Sequence, residues 1–172
     1  MVPLVRPAPT EYTPYYASYV EKVPVGDILH ILAQQGNQTL ALLSKVAEER
    51  AEHRYAPDKW SLKEVVGHLL DTERLFTFRA LWFARQDPSP QPGMDQDDWI
   101  TAGRFHQRSL ADLLSEYRTV RTASLALFRG FTPRMWLRRG VANNVEFTVR
   151  TFPFIIAGHE RHHVQVLQEK YL

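Results

Sequence analysis

Apolar side chains recur near the 3.6-residue period in four stretches of the chain, and no stretch alternates as a half-buried strand would. The first begins near Val25 or Asp27 and runs toward Arg54. It carries Ile28, Leu29, Ile31, Leu32, Leu40, Leu43 and Val46, with Gly36 as a tolerated cost in the middle. The second has the best-marked start. Ser61 and Glu64 stand three apart ahead of an apolar run, the spacing at which a hydroxyl caps the third amide and a carboxylate reaches back. That run passes through Val65, Leu69, Thr72, Phe76 and Leu81 and stops before Pro88, Pro90 and Pro92-Gly93. The third starts near Ser109, holds Leu110, Leu113, Leu114, Tyr117, Val120, Leu125 and Phe128, and ends at Gly130. The fourth runs from Thr148 or Thr151 to Tyr171. Pro153 fits only a first helical turn, which favours the later start or a kink.

Two further stretches, Asp87 to Gln107 and Phe131 to Phe147, are too long for plain helix connections and read as irregular, functional loops. Four amphipathic helices bury their faces most simply as a four-helix bundle. The expectation is therefore an all-α fold, one domain over residues 1–172, with an irregular Pro- and Tyr-rich leader (1–24) packed on one end.

Composition agrees with such a fold: 44% hydrophobic and 23% charged residues place the chain among folded globular proteins. A net charge of +2, with no block of five like charges, argues against a nucleic-acid partner. The absence of cysteine removes disulfides, thiolate zinc sites and a cysteine nucleophile, and suits a reducing compartment. No charged segment leads into an apolar one at the N-terminus, and no apolar run nears the roughly 20 residues of a membrane span. The expected setting is cytoplasmic, without membrane contact.

The histidines carry the candidate chemistry. His30, His53 and His106 are isolated, and a lone histidine is more often a surface or satisfied core residue than a ligand. His159 and His163 stand four apart on the fourth helix, on the face that carries Phe152, Ile156 and Val166; His162 is rotated off that line. Two imidazoles on an apolar face are costly unless both ring nitrogens are satisfied, and a metal does so by binding one nitrogen while the other donates. On the second helix His68 interrupts the stripe Val65, Thr72, Phe76 with a ligand-type side chain. Spacing alone does not make the two helices neighbours.

At these residues the chain resembles the DinB/YfiT-like family of small metal-binding bundles. The segment Trp60-Ser61-Leu62-Lys63-Glu64-Val65-Val66-Gly67-His68-Leu69-Leu70-Asp71-Thr72-Glu73 is similar to the family's second-helix signature. Thr148 to Thr151, followed by Ile155-Ile156-Ala157-Gly158-His159-Glu160-Arg161-His162-His163, is similar to its fourth-helix signature, and the Tyr-rich leader has the same flavour. The resemblance implies an up-down-down-up bundle with one divalent metal ion, zinc or nickel, held by His68, His159 and His163. It also implies a homodimer and either metal-dependent hydrolysis or S-transfer from a low-molecular-weight thiol.

The leading functional expectation is thus an enzyme that uses metal-activated water or thiol on a small-molecule substrate. With no cysteine in the chain, any thiol comes from a cosubstrate. Asp71, one turn beyond His68, and Glu160 are the candidates for groups supporting the ligands. Trp82, Trp99 and Trp136 are candidates for a pocket wall, with plain core as the blander reading. His159 to His163 also satisfies H-E-x-x-H, the zinc-protease pattern with Glu160 as general base, but no substrate-aligning strand accompanies it. A non-catalytic module stabilised by its metal is the alternative from another class.

Overall fold

The computed structural model describes residues 4–172. Four long helices form the body: α2 (Ile28–Leu43), α4 (Leu62–Ala84), α6 (Leu110–Arg129) and α8 (Thr151–Lys170). Around them lie α1 (Ala17–Lys22), α3 (Glu48–Ala51), α5 (Gln96–Gly103) and α7 (Pro133–Trp136), with strands β1 (Arg139–Ala142) and β2 (Val145–Thr148). No helix among the described residues is long and apolar enough to cross a membrane.

The long helices begin where their caps dictate. Asp27 accepts from the amides of Leu29 and His30 at the start of α2. The Ser61 hydroxyl accepts from Glu64 N, and the Glu64 carboxylate accepts from Ser61 N at 2.7 Å, completing the capping box of α4. Ser109 caps α6 through Asp112 N. Helix α8 takes the later of its two expected starts, so Pro153 sits in the first turn, where its missing N–H costs nothing.

Helix α4 packs on α6 and α8, and α2 packs on the same two, so α2 and α4 are diagonal, as are α6 and α8. The apolar core divides into two clusters along the bundle, and these fix the helix directions. One holds Ile28 and Leu32, Phe76 and Phe83, Leu125 and Phe128, and Phe152 and Ile155. The other holds Leu43, Val65 and Leu69, Leu110 and Leu113, and Leu167. Thus α2 and α8 start in the cluster where α4 and α6 end, which gives the up-down-down-up order. Every long helix also crosses a polar level between the clusters: Gln35 and Thr39, His68 with Thr72 and Glu73, Arg121 with Ser124, and His159 with Glu160.

Three sequence expectations are corrected here. The first helix does not run to Arg54. It ends at Leu43, and α3 turns back beneath α4, where Lys63 pairs with Glu48 and Glu52 at 2.6 and 2.5 Å and Ala51 is fully buried. The stretch 87–107 contains α5, capped by Asp95 and anchored by buried Ile100. The stretch 131–147 contains α7 and an antiparallel hairpin, where a strand had not been expected. Its two-residue turn places Asn143 and Asn144 at φ 50° and 60°, the left-handed region asparagine tolerates and a twisted hairpin favours.

The leader packs along the side of α8 as well as toward the end of the bundle. Glu11, buried, takes hydrogen bonds from Arg150 and Thr148, and α1 lies against α8 so closely that a Cβ on Gly158 would stand 1.9 Å from Tyr19 O.

Candidate metal centre

The polar level of the bundle contains two clusters on different sides of α8. The first gathers three imidazoles. Nε2 of His159 lies 3.0 Å from Nε2 of His68 and 3.1 Å from Nε2 of His163. His159 and His163 are one turn apart on α8, and His68 reaches them from α4, the antiparallel neighbour. His162, rotated off that face, stacks near Tyr19 and His163 and is not part of the convergent group.

Burial strips water from the ring nitrogens. It pushes His68 down to about 4 and, with the neighbouring His68 and His162, pushes His163 down to about 3; buried His159 falls well below the ordinary range. All three are neutral near pH 7. A neutral Nε2 has either one proton or one lone pair, so His159 Nε2 cannot satisfy both neighbours by hydrogen bonding. A cation shared by three lone pairs can, and the donor set fits one. Nε2 convergence places the ring protons on Nδ1, and that of His68 faces Thr72 Oγ1 at 3.4 Å.

Aromatic rings frame the group. Trp60 lies against His68 with centroids 4.8 Å apart, and its Nε1 donates to Asp97 Oδ1 at 3.1 Å. Tyr19 meets the edge of His159 at 5.4 Å, carried there by the α1–α8 contact at Gly158. Beyond the imidazoles opens a cleft of about 510 Å³, walled by α4, α8, the leader tyrosines and the hairpin residues Asn143, Val145 and Phe147.

The second cluster is closed. Glu160, next in sequence to His159, points into the bundle centre. It accepts from Gln35 Nε2 at 2.5 Å, Thr39 Oγ1 at 2.6 Å, Arg121 at 2.7 Å and the Tyr117 hydroxyl. Arg121 also forks onto Glu73 at 2.9 and 2.8 Å and donates to Leu32 O. Burial works against the Arg121 charge, but Glu160 and Glu73 hold it well above the ordinary range; burial and the Glu160 charge raise Tyr117.

Of the residues expected at the site, the structure brings His68, His159 and His163 together. It does not bring Asp71 or Glu160 to a histidine nitrogen. Asp71 is part-exposed and lies 3.9 Å from Arg74. The hydroxyl of Thr72, four residues from His68 and hence on its face, takes the place considered for Asp71. With four donors on its carboxylate, Glu160 is not free to act as the base of a zinc protease. Nor do the candidate tryptophans wall the cleft: Trp136 packs with Phe128 and Phe131, in line with the plain-core reading, Trp99 is exposed, and Trp82 donates to Ser89 O. Trp60 takes that role, one residue before the α4 cap.

The profile of the DinB superfamily matches residues 31–167. No curated protein matches the sequence. Among solved structures, YfiT from Bacillus subtilis is described as a probable metal-dependent hydrolase with an unusual four-helix bundle topology. It superposes with a TM-score of 0.75 at 15% identity over 94% of this chain and 95% of its own. The DinB-like protein YjoA from the same organism gives a TM-score of 0.61 at 20% identity, over 84% and 88%. At these identities the likeness is one of fold.

Proposed function

The chain belongs to the DinB superfamily, and from that premise we propose that it is a metal-dependent enzyme acting on a small molecule in the cleft above His68, His159 and His163. The observation that carries the reading is the convergence of three neutral imidazole nitrogens at the floor of a 510 Å³ cleft. Three imidazoles would suit zinc or nickel, and a site with only three protein ligands would leave room for water or substrate. When bound, such a cation lowers the pKa of a water or thiol and polarises an electrophile, the chemistry of hydrolysis or S-transfer.

The protein's own residues supply the rest. Thr72 holds the Nδ1 side of His68, keeping Nε2 turned toward the cleft. Trp60 and Tyr19 fix the ring planes of His68 and His159 and exclude water from their flanks. Phe76 and Phe147 give the adjoining cleft an apolar wall on which a substrate body can rest.

Metal analysis of the purified chain beside His68→Ala, His159→Ala and His163→Ala tests the reading. Each change is expected to lose most of the bound zinc or nickel and, with it, any activity on panels of esters, amides and thiol–electrophile pairs. Full metal retention by His68→Ala would overturn the three-ligand site. Metal loss in all three, with no turnover on either panel by the loaded wild type, would favour a purely structural ion.

A further inference from the structure

Among the described residues, three cations are deeply buried: Lys63, Arg79 and Arg121. Lys63 pairs with Glu48 and Glu52, and Arg121 with Glu73 and Glu160. Arg79 is only 4% exposed, yet no carboxylate acts on it. Its Nη2 donates to Pro92 O at 2.6 Å, and its guanidinium carbon sits 5.8 Å from the Phe76 ring centre. Of its five N–H donors, one meets a backbone carbonyl and the fully buried Nε meets no protein acceptor, while the guanidinium lines the cleft. A buried charge left this way is costly, and proteins keep one where something else completes it.

The position of Arg79 indicates what completes it. His68, Thr72, Phe76 and Arg79 recur at helical spacing on one face of α4, and all four line the same cleft. Arg79 and His68 are eleven residues apart, about 16 Å along the axis. The cleft between them is bordered by Tyr16, Phe76 and Phe147. We propose that Arg79 is an anion-recognition residue, and that the substrate carries a carboxylate or phosphate at the end remote from the histidines, joined to the reacting group by an apolar body. A planar guanidinium with free donors matches either oxyanion, and the surrounding low dielectric strengthens the pairing. The inference rests on the proposed function for the reacting end of the molecule; the anion subsite itself requires only Arg79 and the cleft.

Calorimetric titration of the metal-loaded full chain with hexanoate, hexyl phosphate and the neutral isostere hexanamide tests this, repeated after chelation. One of the anions is expected to bind about tenfold or more tightly than the amide, with and without metal. Arg79→Gln should abolish that preference and Arg79→Lys should keep part of it, with metal content unchanged in both. A stronger response to hexyl phosphate assigns the tail as phosphate, and to hexanoate as carboxylate. Equal affinity for anion and amide, no binding of any probe, or a preference that survives Arg79→Gln overturns the proposal. So does a preference seen only with metal present, which would put the anion on the metal. Should Arg79→Gln not fold, the Arg79 Nε–H resonance of the wild type decides: it must shift with the anions and not with hexanamide. Failure of the metal reading is separately visible, because histidine variants that retain metal would leave the anion preference intact.

Discussion

His159 and Glu160 are consecutive residues, both buried, yet they serve polar clusters of opposite character. In the Glu160 cluster the charges are paired within the protein: two carboxylates share one guanidinium, and Gln35, Thr39 and Tyr117 supply further donors, with only the Gln35 amide oxygen left without one. The His159 cluster presents three nitrogens to one point with no proton arrangement that satisfies them all. Burial and polarity do not separate the two. What separates them is whether the convergent groups find their partners inside the protein. The cluster whose carboxylates and cation pair with one another fixes how four helices stack, and the one whose convergent nitrogens do not is where an outside group belongs.

That distinction can be broken by exchanging effects between the clusters. The largest effect is expected for Arg121→Ala, which leaves Glu73 and Glu160 buried without their cation and should cost about 3–5 kcal/mol in urea denaturation. Metal bound per folded molecule should stay near the wild-type value. Loss of metal at full stability would mean that Glu160 belongs with the histidines after all.

A smaller effect tests a second closed cluster, at the base of the hairpin. Burial alone would raise the Glu11 carboxyl, but hydrogen bonds from Arg150, Thr148 and the Ala8 amide hold it at about 2, against 4.5 when unperturbed. A depressed folded-state value stabilises the protein above pH 4.5, and that contribution is lost as pH falls from about 4.5 toward 2. With Arg150 part-exposed and its charge screened by solvent, the amount is on the order of 1–2 kcal/mol. Melting curves across that range should drop less steeply for Glu11→Gln than for wild type; parallel curves would remove Glu11 from the set of closed, stabilising carboxylates.

The smallest effect falls on the open cluster. Thr72→Val keeps the shape of the side chain but removes the hydroxyl facing His68 Nδ1. Stability should change by no more than about 1 kcal/mol, while competition with a chelator should read a metal affinity about 10- to 100-fold weaker. The two clusters should thus give opposite signatures: stability lost with metal kept at Arg121, and metal weakened with stability kept at Thr72. Unchanged affinity in Thr72→Val would leave His68 without a named support.

Much of this was legible in the chain. The caps at Asp27, Ser61 and Ser109 and the proline in the first turn of α8 act through local hydrogen bonding and sterics, so their effects are carried by neighbouring residues alone. The His159 and His163 pair is equally local, because a helix puts residues four apart on one face wherever it is placed. The hairpin is not legible in the chain because its strands are four residues each and its signal, the Asn143-Asn144 turn, lies outside the usual Asn-Gly pattern. The break after α2 is likewise hidden, because the pairing of Lys63 with Glu48 and Glu52 that holds α3 links residues distant in sequence.

The roles of the buried polar groups follow from packing between helices. Residues 151–160 of α8 are buried all the way round, as are 62–70 of α4, so amphipathic periodicity cannot say which buried face meets which neighbour. Glu160 turns about 100° from His159 and so enters a different interface. Asp71 leaves the face that Thr72 keeps, and Arg79 is buried without an acid because the cleft, not a helix, lies opposite it. The helices, their caps and the shared face of His159 and His163 are local properties of the chain, since they follow from bonds within a few residues. Which polar groups cancel one another, and which are left facing a cleft, depends on packing between distant segments, and that information exists only once the bundle has closed.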